Sequence, residues 1–169
     1  HYRVAVPSAK VGLPEVLIGI LPGGGGTQRL PRLIGPKTAM DLIVSGRHVP
    51  AAEAKTLGII DEIIPGKDMQ AEAIAYAQQI ADRRPLPRVR DMNDKLAEAK
   101  ADPGMFEAMR KSIARKARNQ IAPYNCIKAV EAAHEPVAQL VRDPEQPQLP
   151  LHLGEVLAAR RAQVIGDPR

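Results

Sequence analysis

The chain has 169 residues, of which 44% are hydrophobic and 25% are charged, and its formal net charge is +5. Length and composition fit one globular domain with a sizeable core and exclude a disordered chain, and no apolar run approaches the roughly 20 residues that span a bilayer. The positive charge does not indicate nucleic acid, because one Phe and three Tyr are too few for a base-stacking platform, and phosphate on a small ligand explains the charge equally well.

The chain begins with alternating predicted strands and helices. "YRVAV" (2–6) and "EVLIGIL" (15–21) have the apolar character of strands. Four glycines follow, and a helix is expected to begin near Thr27. A second helix, over 37–45, has an apolar stripe and is expected to stop at Gly46.

The alternation continues to about residue 81. Pro50 is expected to open a short helix that ends before Gly58. Residues 59–65 are predicted to form a strand and 68–81 an amphipathic helix. The apolar face of that helix consists of Met69, Ala73, Ile74, Ala77 and Ile80. Residues 1–81 therefore predict an α/β region.

The pattern changes after a basic, proline-broken connection over 82–91. Residues 92–133 are predicted to be helical, with an apolar stripe made of Phe106, Met109, Ile113, Ala117 and Ile121. A set of basic residues lies off that stripe and indicates either a solvated face or a phosphate or acidic partner: Arg110, Lys111, Arg115, Lys116 and Arg118. The remaining part, 134–169, is rich in Pro and Gln, with one helix predicted over 154–166.

Histidine and cysteine content suggests neither a metal site nor a disulfide. The histidines are scattered without ligand spacing at His1, His48, His134 and His152. The single cysteine, Cys126, cannot form an internal disulfide, which agrees with a reducing compartment.

Glycines 23–26 point to a ligand, because such a turn between an apolar segment and a helix lets backbone N–H groups approach closely. Nucleotide phosphate is disfavoured. A phosphate-binding Walker loop ends in Gly-Lys-Ser/Thr, and the nearest match is "GPKT" (35–38). There Pro36 separates the glycine from the lysine and lacks a backbone N–H donor. The dinucleotide fingerprint fails as well, since Gln28 occupies its last glycine position. The other use of such a turn is to hold a water, or to stabilise developing negative charge, with its backbone amides.

That chemistry needs an acid or base, and Glu15 lies eight residues before the first glycine. Apolar neighbours would partly desolvate its carboxylate, which suits it to proton transfer near neutral pH. The pattern alone favours a glutamate that merely begins a surface strand. Arg29 and Arg32 beside the glycines are candidate phosphate contacts, although the pattern favours ordinary surface roles for both.

A long stretch of the chain resembles the enoyl-CoA hydratase/isomerase (crotonase) family. The motif "AKVGLPEVLIGILPGGGGTQRLPRLIG", together with "AMDLIVSGRHVPAAEAKTLGIIDEIIP", carries the resemblance over residues 1 to about 81. The segments "RRPLPRVRD" and "APYNCIKAVEAA" within 82–133 look like the hydratase half of multifunctional β-oxidation enzymes, in which a 3-hydroxyacyl-CoA dehydrogenase follows.

The resemblance implies an α/β fold of stacked ββα turns, a spiral, of which residues 1–81 form the later part of the core. It implies a 2-enoyl-CoA thioester as substrate, with Glu15 as general acid/base at the α-carbon. The amide of Gly23 would help to hold the attacking water, with Pro22 and Gly24 beside it. Coenzyme A is then part of the substrate, and no separate cofactor is expected.

By the family's spacing, a second glutamate and both oxyanion-hole amides would precede His1, so this chain alone is expected to be inactive. NAD would serve only a dehydrogenase half, whose fingerprint is absent here. Double-bond isomerisation, which needs one glutamate, and a non-catalytic binding or assembly module remain as alternatives. The resemblance also implies a cytoplasmic location, or a peroxisomal or mitochondrial one in a eukaryote, and allows a homo-oligomer.

Overall fold

The computed structural model describes residues 1–134, and the predicted tail and its helix over 154–166 lie outside the described residues. Seven α-helices occur in this part: α1 (Gly26–Ile34), α2 (Pro36–Ser45), α3 (Ala51–Leu57), α4 (Met69–Gln79), α5 (Ala97–Ala101), α6 (Met105–Ile113) and α7 (Ala122–Glu131). The 3₁₀ helices are Pro14–Ile18, Val89–Asp91, Asp94–Leu96 and Ala132–His134.

The strands are short and form two separate pairs. They are β1 (Val4–Ala5), β2 (Lys10–Val11), β3 (Val49–Pro50) and β4 (Glu62–Ile63). β1 pairs in parallel with β4, with Val4 opposite Glu62, whereas β2 pairs antiparallel with β3. The strands predicted over 2–6 and 59–65 therefore exist but are reduced to two residues each, within an α/β arrangement.

The strand predicted over 15–21 is wrong, because a 3₁₀ helix occupies Pro14–Ile18. Pro14 fits the first turn of a helix, where its missing N–H is not needed. Gly19 ends the helix in the left-handed region, with φ of 83°. A continuous apolar run does not distinguish a strand from a short helix, and here these two residues decide the outcome.

Predicted helix ends agree with the structure wherever Gly or Pro marks them. Gly46 and Gly58 end α2 and α3 in left-handed conformations, with φ of 64° and 85°. Asp68 accepts a hydrogen bond from the amide of Ala71 and so caps α4. The helices in 1–81 are therefore determined largely by local signals.

The predicted apolar face of α4 is wrong as a packing face. No residue of α4 is buried, and Met69 and Ile74 are exposed. The stripe over 106–121 is correct only in part: Phe106 and Ala117 are buried, but Ile121 is 75% exposed. Asn119 adopts a φ of 66° between α6 and α7, so the chain turns there and Ile121 falls out of the helical phase of α6.

Helices α1, α2 and α7 form the centre of the described part. Their buried side chains join residues of α5 and α6 in one core, in which Met40, Ile43, Cys126, Ile127 and Phe106 are among the most buried. Arg110 of α6 forms an ion pair with Glu131 of α7, so this member of the basic set has an acidic partner within the chain. Within residues 1–134, none of the helices has the length and apolar character that crossing a bilayer requires.

Candidate active site

Glu15 lies in the first turn of the 3₁₀ helix Pro14–Ile18. Glu15 as a whole is only partly buried, yet its carboxylate oxygen Oε2 is shielded from solvent and has no hydrogen-bond partner among the described residues. A buried carboxylate oxygen without a partner is costly in a purely structural role. The hydrogen-bonding capacity of this oxygen is therefore unused among the described residues.

The glycine turn before α1 combines left-handed backbone conformations with free amides. Gly24 and Gly25 have φ of 58° and 75°, values that L side chains rarely adopt. Within the described part of the chain, the amides of Gly23, Gly24 and Gly25 donate to no backbone carbonyl. A Cβ on Gly23 would meet nothing within 4 Å, so open space lies beside the Cα of this residue.

Close packing joins the glycine turn to the segment that carries Glu15. A Cβ on Gly26 would lie 3.0 Å from Cδ1 of Leu13 and 3.0 Å from Cβ of Pro22. Leu13 directly precedes the 3₁₀ helix, and Pro22 is buried. Gly26 therefore permits the start of α1 to pack against the residue before Pro14, which brings the predicted site segments together. The roles of Glu15 and of the glycine amides stay predictions.

Arg29 and Arg32, the two candidate phosphate contacts, have different surroundings. Arg29 is exposed, and its Nε lies 3.5 Å from the position of a Cβ on Gly25. Arg32 is partly buried and donates from Nη2 to the carbonyl of Ala133 at 3.1 Å. Arg29 therefore adds positive charge beside the turn, while Arg32 is occupied within the fold.

Cys126 of α7 is a neighbour of the site that the sequence did not reveal. Its side chain is fully buried, and burial raises the pKa of its thiol to about 11, with a further contribution from the negative charge of Glu15. The thiol therefore stays protonated at neutral pH, and α7 forms part of the surroundings of Glu15. The sequence separates the two residues by the whole of α1 to α6, so no local signal could have paired them.

An open groove of about 500 Å³ lies along the 3₁₀ helix. It is bounded by Val16 and Leu17 on one side and by Ala122 and Pro123 of α7 on the other. Beyond Val16 the apolar side chains are exposed: Leu17, Ile18, Ile20 and Leu21. Among residues 1–134, no group of three or more His, Cys, Asp or Glu side chains is arranged to hold a metal ion.

Comparison with known proteins identifies the family from the sequence. The family model described as "Enoyl-CoA hydratase/isomerase" matches residues 1–121, which is well over half of the chain. The chain belongs to the enoyl-CoA hydratase/isomerase family. The resemblance read from the motifs is thus confirmed, and with it the assignment of the chain to an enzyme family of the crotonase type.

Relatives of this family member include multifunctional enzymes. The chain is 42% identical over 133 residues to the "Peroxisomal bifunctional enzyme" of Homo sapiens, a match that covers 79% of the chain and 18% of that protein. It is 38% identical over 133 residues to the "Glyoxysomal fatty acid beta-oxidation multifunctional protein MFP-a" of Brassica napus, covering 78% of the chain and 18% of that protein. The match thus spans less than a fifth of the length of these relatives.

Solved structures of the same family also align with the chain. The enoyl-CoA hydratase of Bacillus anthracis shares 27% identity, with a TM-score of 0.45, over 95% of this chain and 51% of that one.

Proposed function

We propose that this chain is part of an enzyme that hydrates 2-enoyl-CoA thioesters to 3-hydroxyacyl-CoA in fatty-acid β-oxidation. The observation that carries the proposal is the shielded, unpartnered Oε2 of Glu15 in a segment that packs against the glycine turn. Family membership and the printed names of the multifunctional relatives support it.

In the proposed reaction, Glu15 delivers a proton to the α-carbon of the enoyl thioester. The water oxygen bonds to the β-carbon, the carbon–carbon π bond breaks, and negative charge develops on the thioester oxygen before the α-carbon is protonated. The proton lost by the water goes to a second carboxylate, the glutamate that the resemblance places before His1. General acid/base transfer of this kind typically contributes about 10² to 10⁴-fold to the rate.

Backbone amides supply the remaining electrostatics. We assign the free amide of Gly23 to the attacking water, with Pro22 and Gly24 shaping the turn that presents it. Two further amides, outside this sequence, would stabilise the thioester oxygen, each worth roughly 3 to 4 kcal/mol in comparable sites. Residues 1–134 therefore supply one carboxylate and one water-binding turn, and we expect the 169-residue chain by itself to be inactive.

The proposal includes the substrate's coenzyme A, but no metal and no separate cofactor. Coenzyme A activates the acyl group and provides a binding handle, while the protein orients the reacting atoms. NAD would serve only a dehydrogenase part of a larger enzyme. The relatives' names favour a peroxisomal location over the cytoplasmic or mitochondrial ones. A homo-oligomer is compatible with the proposal, and nucleic acid is not an expected partner.

Substitution of Glu15 tests the proposal in the full-length protein in which this sequence occurs. Glu15→Gln keeps the shape of the side chain but cannot accept and return a proton. We expect kcat for hydration of a short 2-enoyl-CoA to fall by about 10² to 10⁴-fold with little change in KM. The matched control is Glu107→Gln, because Glu107 is an exposed glutamate on α6.

A Glu15→Gln variant that retains more than about a tenth of the parental kcat would overturn the catalytic assignment. If the parent instead moves the double bond of a 3-enoyl-CoA and does not hydrate a 2-enoyl-CoA, the isomerase alternative replaces hydration. A parent that binds the thioester and performs neither reaction would indicate a non-catalytic binding module.

A further inference from the structure

Two side chains of α1 hold α7 through backbone carbonyls. Gln28 Nε2 donates to the carbonyl of Ala129 at 2.7 Å, and Arg32 Nη2 donates to the carbonyl of Ala133 at 3.1 Å. Arg32 Nη1 also donates to the carbonyl of Gln28 at 2.6 Å. In both contacts with the α7 end, donor and acceptor are 101 residues apart in the sequence. We call this pair of contacts the α1–α7 tether.

The α1–α7 tether supplies hydrogen-bond donors to the carboxyl end of α7. The last four carbonyls of an α-helix have no intrahelical donor, and the carboxyl end of a helix carries partial negative charge. Ala129 lies in the last turn of α7, and Ala133 lies in the 3₁₀ helix that follows. Gln28 supplies a neutral donor and Arg32 a cation to this end. The i, i+4 spacing of Gln28 and Arg32 places them on one face of α1.

The two ends of α7 meet two elements that adjoin the proposed site, namely the 3₁₀ helix that carries Glu15 and the helix that follows the glycine turn. Its amino end contributes Ala122 and Pro123 to the groove shared with Val16 and Leu17, directly after Glu15. Its carboxyl end is tethered to α1, whose first residue is Gly26 of the glycine turn. The same helix therefore touches the segment of Glu15 and is fixed to the helix that begins at the turn.

We propose that Gln28 and Arg32 are positioning residues for the proposed hydration: by fixing α7 to α1, they set the distance between the glycine turn and Glu15. This inference rests on the proposed function. Neither residue touches the reacting atoms, and each acts through α7. Because reaction rates fall steeply when catalytic groups are displaced by even about 1 Å, a loosened tether lowers turnover while the substrate still binds.

The test uses Gln28→Met in the full-length protein, since methionine keeps the length of the side chain but has no donor. Alkylation of Cys126, followed by peptide mass spectrometry, reports the opening of α7 because this thiol is fully buried. We expect loss of the hydrogen bond to raise its alkylation rate about 5-fold. We also expect kcat to fall at least about tenfold with KM nearly unchanged.

Gln28→Lys keeps a donor at the end of the side chain and should restore most of the kcat. The matched control is Gln79→Met, because Gln79 is exposed at the end of α4 and forms no side-chain hydrogen bond among the described residues. It should change neither readout.

Three outcomes decide the matter. An unchanged alkylation rate in Gln28→Met would show that the contact does not hold α7. A raised alkylation rate with an unchanged kcat in an active protein would show that the tether is structural only, and either result overturns the positioning role. A wild-type protein without hydration would overturn the proposed function and the positioning role that depends on it, while the alkylation result would still report whether the tether holds α7.

Discussion

Helices α2 and α7 and the segment 15–21 are all rich in aliphatic residues, but they lie in opposite environments. Ile43 of α2 and Ile127 of α7 are fully buried, whereas Ile18 and Ile20 are 76% and 52% exposed. Identical side chains thus contribute to the core in one region and face solvent in the other. The helices stabilise the described part, while the segment 15–21 presents apolar surface around Glu15.

This difference separates stability from the proposed chemistry. Burial of an aliphatic side chain contributes about 1.5 to 3 kcal/mol relative to exposure, so α2 and α7 carry much of the folding free energy. Residues 17–21 add little to that sum, because most of their side chains remain in solvent. Their apolar surface suits contact with an acyl chain or with further protein. Substitutions in the two regions measure how differently their side chains contribute to stability.

The largest expected difference in stability is between the alanine variants of two isoleucines, one buried and one exposed. Ile43→Ala should lower the free energy of unfolding by about 3 to 4 kcal/mol, because it removes a fully buried side chain and leaves a cavity. Ile18→Ala should change it by less than about 0.5 kcal/mol, because Ile18 is largely exposed. Urea unfolding of both variants measures the difference. Equal losses would mean that segment 15–21 packs as firmly as α2.

Two glycines, one at the end of α2 and one at the end of the 3₁₀ helix, test how closely these regions pack. Gly46 has φ of 64°, and a Cβ there would lie 2.8 Å from Cγ of Leu17, so Gly46→Ala should cost about 2 to 3 kcal/mol from backbone strain and overpacking. Gly19 has φ of 83° but open space around it, so Gly19→Ala should cost only about 1 kcal/mol of strain.

Thermal unfolding compares the two glycine variants. If Gly19→Ala proved as destabilising as Gly46→Ala, the contact between α2 and the 3₁₀ helix would contribute nothing to the difference.

Near neutral pH the smallest expected effect is that of Cys126, which makes stability depend on pH only in the alkaline range. The folded thiol has a pKa of about 11, against an ordinary value of 9.0, so between these pH values the unfolded chain releases a proton that the folded chain retains. Stability should therefore fall as pH rises through this interval, by up to about 1.4 kcal/mol per pH unit, and be unaffected by this group below it.

Cys126→Ala removes the titrating thiol and should give a shallower pH slope. Comparing the slopes cancels the contribution of Tyr76, whose pKa burial also raises and which is present in both proteins. Parallel slopes would contradict the raised pKa of Cys126.

The elements that the sequence predicted well are those bounded by local signals. Gly46, Gly58 and Asp68 mark helix ends through backbone conformation and capping, which depend on neighbouring residues only. The family motif also named Glu15 and the glycine turn as the candidate site, and their roles stay predictions. The strand over 15–21 was wrong because an apolar run without alternation does not specify its backbone.

The sequence by itself thus determined the family and the helix ends at Gly46 and Gly58, since each depends on a contiguous motif or a local cap, and it predicted the residues that carry the proposed chemistry. The tertiary structure decided which apolar residues are buried, as the contrast between Ile43 and Ile18 shows. It also decided that Cys126 lies near Glu15 and that Gln28 and Arg32 bind the end of α7. These contacts join residues about a hundred positions apart, and only the packing of helices, which sums many weak contacts, brings them together.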